Sequence, residues 1–276
     1  MDAHDTSRQG RWRALFISDI HLGTRSCKAG ELLAFLKSQR ADRLYLVGDI
    51  IDGWRLKRRW YWNAQQQAVL DEILDQARNG TEVLYIPGNH DEAFRPYAGL
   101  NLAEIDIREA AIHETADGRS FLVIHGDVFD GAARWGRIVS RLGDWAYDAT
   151  MWTSDRLAAT RKAMGLSHWS LAQHLKRTAK TALEIIGRYE TAAAREAAAR
   201  GFDGIVCGHI HKAALKRVYG VTYANDGDWV DSCTALAESA DGRLVLLDAR
   251  GRIIEAEPRR ADTQGVPAPL PEPLAA

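Results

Sequence analysis

Two short spacings stand out first, Asp19-Ile20-His21 and His209-Ile210-His211, each a pair of polar side chains flanking an apolar one. Gly48-Asp49-Ile50-Ile51-Asp52, Gly88-Asn89-His90-Asp91 and His125-Gly126-Asp127 are of the same kind. Five of the nine histidines fall in this set, so imidazole is concentrated where the carboxylates are. The donors are carboxylate, amide oxygen and imidazole, with no thiolate. Such a set suits Mn²⁺, Fe or Zn²⁺. In an extended loop, residues two apart turn their side chains to the same side, which predicts that each pair faces one site. Each spacing alone is an ordinary turn. The five together predict a metal centre.

Positioning them requires elements that end at a common edge. Ala14–Ile17, Leu44–Val47, Val83–Ile86, Phe121–Ile124 and Ile205–Cys207 are short apolar runs, and each ends at one of these polar clusters. They read as buried strands. Glu31–Gln39 and Gln65–Arg78 read as amphipathic helices, the second stopped by Asn79-Gly80. Strand, loop and helix in alternation predict an α/β fold of βαβ units. In such sheets ligands bind outside the carboxyl ends of the strands. Residues 131–200 hold no strand pattern and carry twelve Lys/Arg against six Asp/Glu, a net of +6. They predict a helical insertion in one domain spanning 12–255. Residues 1–11 are polar, and five of the seven prolines lie in 258–273, so 1–11 and 256–276 are expected to be flexible tails.

The net charge of -1 over 276 residues excludes a general polyanion binder, so nucleic acid is not an expected partner. Three widely spaced cysteines make neither a disulfide framework nor a zinc–thiolate site and fit a reducing cytoplasm. There is no apolar leader before the first strand and no apolar run long enough to span a bilayer, and no obligate protein partner is evident.

The order DxH, GDxxD, GNHD, H, GHxH resembles that of the calcineurin-like metallophosphoesterases, over roughly residues 13–235. The resemblance implies a four-layer α/β sandwich with two divalent metal ions at the sheet edge, manganese first, iron or zinc as alternatives. By motif position, Asp19, His21 and His211 would hold one ion, Asn89, His125 and His209 the other, and Asp49 would bridge them. Seven donors exceed the roughly four that a single zinc takes. The implied reaction is attack on phosphorus by a water acidified between the ions. His90 would contact the substrate phosphate or protonate the leaving group, oriented by Asp52.

Within that superfamily, Phe16–Gly23, Gly48–Trp54 and the long insertion resemble the UDP-2,3-diacylglucosamine pyrophosphohydrolases of lipid A synthesis. That branch carries Arg where this chain has His90, so a paralogue acting on another phospholipid, a nucleotide or a nucleic-acid phosphodiester is the alternative. The implied substrate is a phosphorylated glycolipid or nucleotide-lipid, with the insertion capping the site. Trp135, Trp145, Trp152 and Trp169 in that insertion suit an apolar pocket. Lys176 and Lys180, one helical turn apart, with Arg177 between them, are candidates for gripping a diphosphate. Asn89, His90, Asp127 and His209 complete the expected substrate contacts. Trp54–Trp62, four cations among four aromatics, has the make-up of a peripheral contact with the inner membrane surface.

Overall fold

The computed structural model of the chain describes residues 11–131 and 171–258, and the side chains of 130, 131 and 171–180 lie outside that description. Thirteen strands are present among the described residues, in two sheets. The first sheet is built on β1 (Arg11–Ile17), β2 (Arg40–Val47) and β3 (Glu82–Ile86), which run parallel. It is extended by β4 (Asn101–Leu102) and β5 (Ile105–Ile107) on one side. On the other side stand β11 (Thr234–Glu238), β12 (Leu244–Asp248) and β13 (Ile253–Ala256). The second sheet has the order β6 (Ala111–Glu114), β7 (Ser120–Val123), β8 (Gly204–Cys207), β10 (Val221–Asn225) and β9 (Ala214–Val218).

The period-2 alternation of the first sheet sorts its side chains into two cores. Leu15 and Ile17 of β1, with Leu44 and Leu46 of β2, face one way and pack with α1 (Ala29–Ser38) and α3 (Ala64–Arg78). Ala14, Phe16, Tyr45 and Val47 face the other way and meet Phe121, Val123, Val206 and Ala224 of the second sheet. Each fully buried Phe or Leu there contributes roughly 1.5–3 kcal/mol. A cluster of buried polar groups interrupts this inter-sheet core. His113 on β6 is buried, with Nε2 2.9 Å from Glu238 Oε2 and Nδ1 3.1 Å from the Tyr45 hydroxyl.

The helices end where the sequence says they should. Helix α1 buries Leu32, Phe35 and Leu36, an i, i+3, i+4 stripe. Asn63 caps α3 by accepting from the Gln66 N–H at 2.8 Å, and Gly80 past its end takes the left-handed φ of +93°. A short helix, α2 (Gly53–Arg58), follows the Asp49 loop. Helix α4 (Leu171–Ala199) occupies the last part of the predicted insertion and buries Ala193, Ala194 and Ala197 completely.

By compactness the chain divides into Met1–Asp127 with Ala193–Ala276, and Val128–Ala192. Within the second unit, the Phe129 and Tyr189 rings meet edge to face at 5.8 Å. Trp135, Trp145, Trp152 and Trp169, and both tails beyond 11–258, lie outside the described residues. No described helix is long and apolar enough to cross a membrane. The expected strands are all present, several one to four residues longer at their starts.

Candidate active site

The loops after β1, β2, β3, β7 and β8 converge because their backbones are stitched together. Asp19 N–H donates to Gly48 C=O at 3.0 Å, and His21 N–H to Asp49 C=O at 2.9 Å. Gly208 N–H donates to His125 C=O at 3.1 Å, which joins the loops of the second sheet. Asp91 is the clasp between the β2 and β3 loops. Its buried carboxylate accepts from Ile50 N–H at 2.8 Å, Gly88 N–H at 2.5 Å and the Tyr85 hydroxyl at 2.6 Å.

The DxH and HxH pairs are not extended, contrary to the spacing argument. Asp19, His21, Asp49, His209 and His211 all have φ between +50° and +71°, in the left-handed region. Non-glycine residues there cost of order 1–3 kcal/mol each and cluster at functional sites. The local hydrogen bonds hold these turns, and the side chains converge through them rather than through a pleat. Glycine supplies the room. A Cβ on Gly88 would collide with Asp49 Oδ1 and with the His125 ring.

Three groups of possible ligand atoms result, each within 4.8 Å: Asp19, His21, His211; Asp49, His125, His209; and His21, Asp49, His90. His125 Nδ1–H points at Val47 C=O, 2.9 Å away, which fixes the tautomer and turns Nε2 to Asp49 Oδ2 at 3.4 Å. Asp52 does the same for His21, with Oδ2 3.3 Å from Nδ1, so that Nε2 faces His211 Nε2 at 3.4 Å. Asp52 also caps α2, accepting from Arg55 N–H at 2.8 Å. Its Oδ2 lies 3.2 Å from His90 Nδ1, an ion-pair distance, though out of line for a hydrogen bond. His90 Nε2 is 3.9 Å from Asp49 Oδ2, and the Trp54 ring lies against His90 at 4.2 Å between centroids.

These residues fit divalent cations. Asp19 Oδ1 and Asn89 Oδ1 are buried with no hydrogen-bond partner among the described residues, an expense a metal would remove. Burial pushes the Asp19 carboxyl up, but His211, His125 and His21 outweigh it and hold it far below the usual range. Asp49 is likewise held down at about 2, burial being outweighed by His125. The histidines respond in the opposite sense. Burial lowers His211, yet Asp19 raises it to about 9, and Asp49 raises His125 well above its ordinary value.

Without a cation, then, His211 and His125 hold on to protons. His211 carries one at neutral pH and loses it as pH rises through about 9, so a cation held by this residue would have to displace it. Affinity for Mn²⁺ is therefore expected to rise from pH 6 to pH 9, and adding Mn²⁺ to lightly buffered protein at pH 7 should acidify the solution. A pH-independent affinity with no proton release would contradict this.

A family model for the calcineurin-like phosphoesterases matches residues 13–213. The chain belongs to that family. The phosphoesterase is 27% identical over 246 residues to the UDP-2,3-diacylglucosamine hydrolase of Xanthomonas axonopodis pv. citri (strain 306), spanning 83% of this chain and 96% of that one. It is 28% identical to the enzyme of the same name from Pseudomonas aeruginosa (strain UCBPP-PA14), over 72% and 82% of the two chains. The solved structure of Yfce, a phosphoesterase from E. coli, aligns over 88% of this chain and 97% of that one, at 14% identity and a TM-score of 0.46.

Around this centre the expected substrate residues divide. Asp127 is near His125 in sequence but pairs with Arg95, whose guanidinium is 2.6 Å from Oδ2. Lys176, Arg177 and Lys180 stand on α4 of the phosphoesterase, and their side chains lie outside the described residues. Asp91 was visible as the last letter of Gly-Asn-His-Asp but carried no sequence-based role. Tyr85 and Arg95 were missed, with no motif to mark them, and Ser18 was visible within Phe16–Gly23 but carried no sequence-based role.

Proposed function

We propose that this phosphoesterase cleaves the pyrophosphate bond of UDP-2,3-diacylglucosamine, giving UMP and 2,3-diacylglucosamine 1-phosphate. The observation that carries the hydrolytic reading is Asp49, whose Oδ2 lies 3.9 Å from His21 Nε2 and 3.4 Å from His125 Nε2, within reach of both ligand groups. The nucleotide-lipid reading is supported by the relatives of that name, one of them matched over 96% of its length. Asp19, His21 and His211 hold one cation in this reading, Asn89, His125 and His209 the second, with Asp49 between. Manganese is the preferred ion, with iron or zinc as alternatives, since the donors are oxygen and imidazole nitrogen.

Two such cations, when bound, ready a water for in-line displacement and offset charge on the phosphoryl oxygens. The chain's own residues do the rest. Asp52 holds the His90 ring with Nδ1 towards itself. Burial lowers the affinity of His90 for its proton, but Asp52 and Asp49 outweigh that and raise it. A proton at Nε2 is thus available to the leaving oxygen as the P–O bond breaks. Lys176, Arg177, Lys180 and Asp127 are proposed to meet the diphosphate and sugar. The domain reading, a catalytic body over 12–255 with the insertion of about 131–200 beside the substrate, belongs to the same proposal.

Purified protein with Mn²⁺ and UDP-2,3-diacylglucosamine should release UMP. No release there, with turnover of a nucleotide or aryl phosphodiester, would select a paralogous substrate. A peripheral seat on the cytoplasmic face of the membrane is also part of the reading. It is supported by Trp60, 73% exposed, beside exposed Arg55, Lys57, Arg58 and Arg59. Anionic liposomes should retain the protein at low salt and release it at high salt; no retention at low salt would remove this element.

A further inference from the structure

Behind Asp19 stands an acid that the hydrolytic chemistry above does not use. Asp226 follows β10, 208 positions from Ser18 in sequence, and is completely buried. Its Oδ1 lies 2.6 Å from Ser18 Oγ, and the same hydroxyl lies 2.6 Å from Asp19 Oδ2. A serine hydroxyl has one hydrogen to give. Two short contacts to two carboxyl groups need two hydrogens, so one of the acids must carry the second.

The surroundings decide which. Asp19 faces ring nitrogens, His211 at 3.2 Å and His21 at 3.9 Å, and its Oδ2 also accepts the His209 N–H at 2.8 Å. Every one of these favours the anion. Asp226 makes no ion pair among the described residues, and its Oδ2 is buried with no hydrogen-bond partner among them. The charged groups that act on it are Asp19, which disfavours a second anion, and His125, whose opposing effect is smaller. A buried acceptor left unpaired is far less costly on a neutral acid than on a carboxylate. Burial accordingly pushes this carboxyl well above the ordinary range.

We propose that Asp226 is a neutral carboxylic acid that donates to Ser18 Oγ and thereby commits the Ser18 hydrogen to Asp19 Oδ2, making it a positioning residue for the metal centre. With the Ser18 hydroxyl and the His209 N–H both on Oδ2, Asp19 keeps Oδ1, which has no hydrogen-bond partner among the described residues, turned to the ring nitrogens of His21 and His211. The relay therefore selects the ligating atom. It also keeps a further negative charge out of the site. Without a donor at 226, the Ser18 hydroxyl is free to turn to Gly227 C=O, 3.3 Å away. A local clash guards the same spot, since a Cβ on Gly208 would run into both Ser18 and Asp19.

The inference rests on Asp19 as a cation ligand, so its test has one arm that needs no cation. In the metal-free protein near neutral pH, the infrared difference between wild type and Asp226→Asn should show the carbonyl band of a protonated carboxyl group. In the second arm Mn²⁺ alone is titrated. Asp226→Asn keeps a neutral donor and should bind within about threefold of wild type, whereas Asp226→Leu and Ser18→Ala should bind about 10–100-fold more weakly, the scale for outer partners of metal ligands. Thermal unfolding of each metal-free variant checks that it is folded. Absence of the band overturns the proposal, as does Asp226→Asn binding as weakly as Asp226→Leu. Mn²⁺ failing to bind the wild type would sink the metal reading instead, and the infrared arm would still decide the state of Asp226.

Discussion

Asp49→Ala is expected to give a folded protein that holds at most one cation and turns over at least ~10³ times more slowly, a loss of about 4 kcal/mol of transition-state stabilisation. Asp49 is the acceptor that faces both ligand groups, with His21 Nε2 and His125 Nε2 within 3.9 Å and 3.4 Å of one oxygen. Its other oxygen accepts the His90 N–H at 2.8 Å, so the β3 loop loses an anchor as well. The fold should survive, because Asp91 still clasps the two loops and Asp49 belongs to neither apolar core. Removing it relieves the repulsion that Asp49 adds to burial at Asp91, but also takes away the partner that holds the His125 proton. Metal analysis and thermal unfolding with and without Mn²⁺ check this. The rise in Tm produced by Mn²⁺ in the wild type should be largely lost in the variant.

His90→Ala is expected to keep full metal content while lowering turnover by ~10²-fold, the scale of a lost general acid. The distances make this informative, because His90 Nε2 comes within reach of His21 and Asp49 as a third possible ligand group. A ligand and an acid differ in what its loss removes. If the variant loses a cation, His90 is a ligand. If it keeps both and loses rate, His90 acts on substrate. Asp52→Asn should follow in the same direction, since Asp52 meets His21 and His90 with one oxygen. Rate unchanged in His90→Ala would take the residue out of the mechanism.

The strands that carry the site were legible because each is an apolar run that stops at a polar loop. Ala14-Leu15-Phe16-Ile17 is buried on both faces, one against helices and one against the second sheet. A strand covered on both sides shows as a continuous run. Strand β6 was not legible. It has four residues, and the inward position that should be apolar is His113, whose polarity is met by Glu238 from 125 residues away. The two-residue strand β4 is too short to carry a pattern. The residues proposed as ligands could be picked out because their types and order are informative without geometry, and the structure brings Asp19, His21 and His211, and Asp49, His125 and His209, into groups that could hold a cation. Their left-handed backbone could not be read, since nothing in Asp-Ile-His demands it. Ser18, Asp91 and Asp226 act through contacts closed only by the fold, and Trp54 is seen to brace His90 only once the α2 turn is in place. Of the helical insertion expected over about 131–200, Leu171–Ala199 is helix, and 132–170 lie outside the described residues.

If Asp49 stands between two cations, its carboxylate must be seen touching both. Anomalous diffraction from a crystal grown with manganese tests it most directly. Two peaks about 3.5–4 Å apart, one beside Asp19, His21 and His211 and one beside Asn89, His125 and His209, with the Asp49 carboxylate touching both, are the expected result. A single peak away from Asp49, or none at saturating manganese, would contradict it.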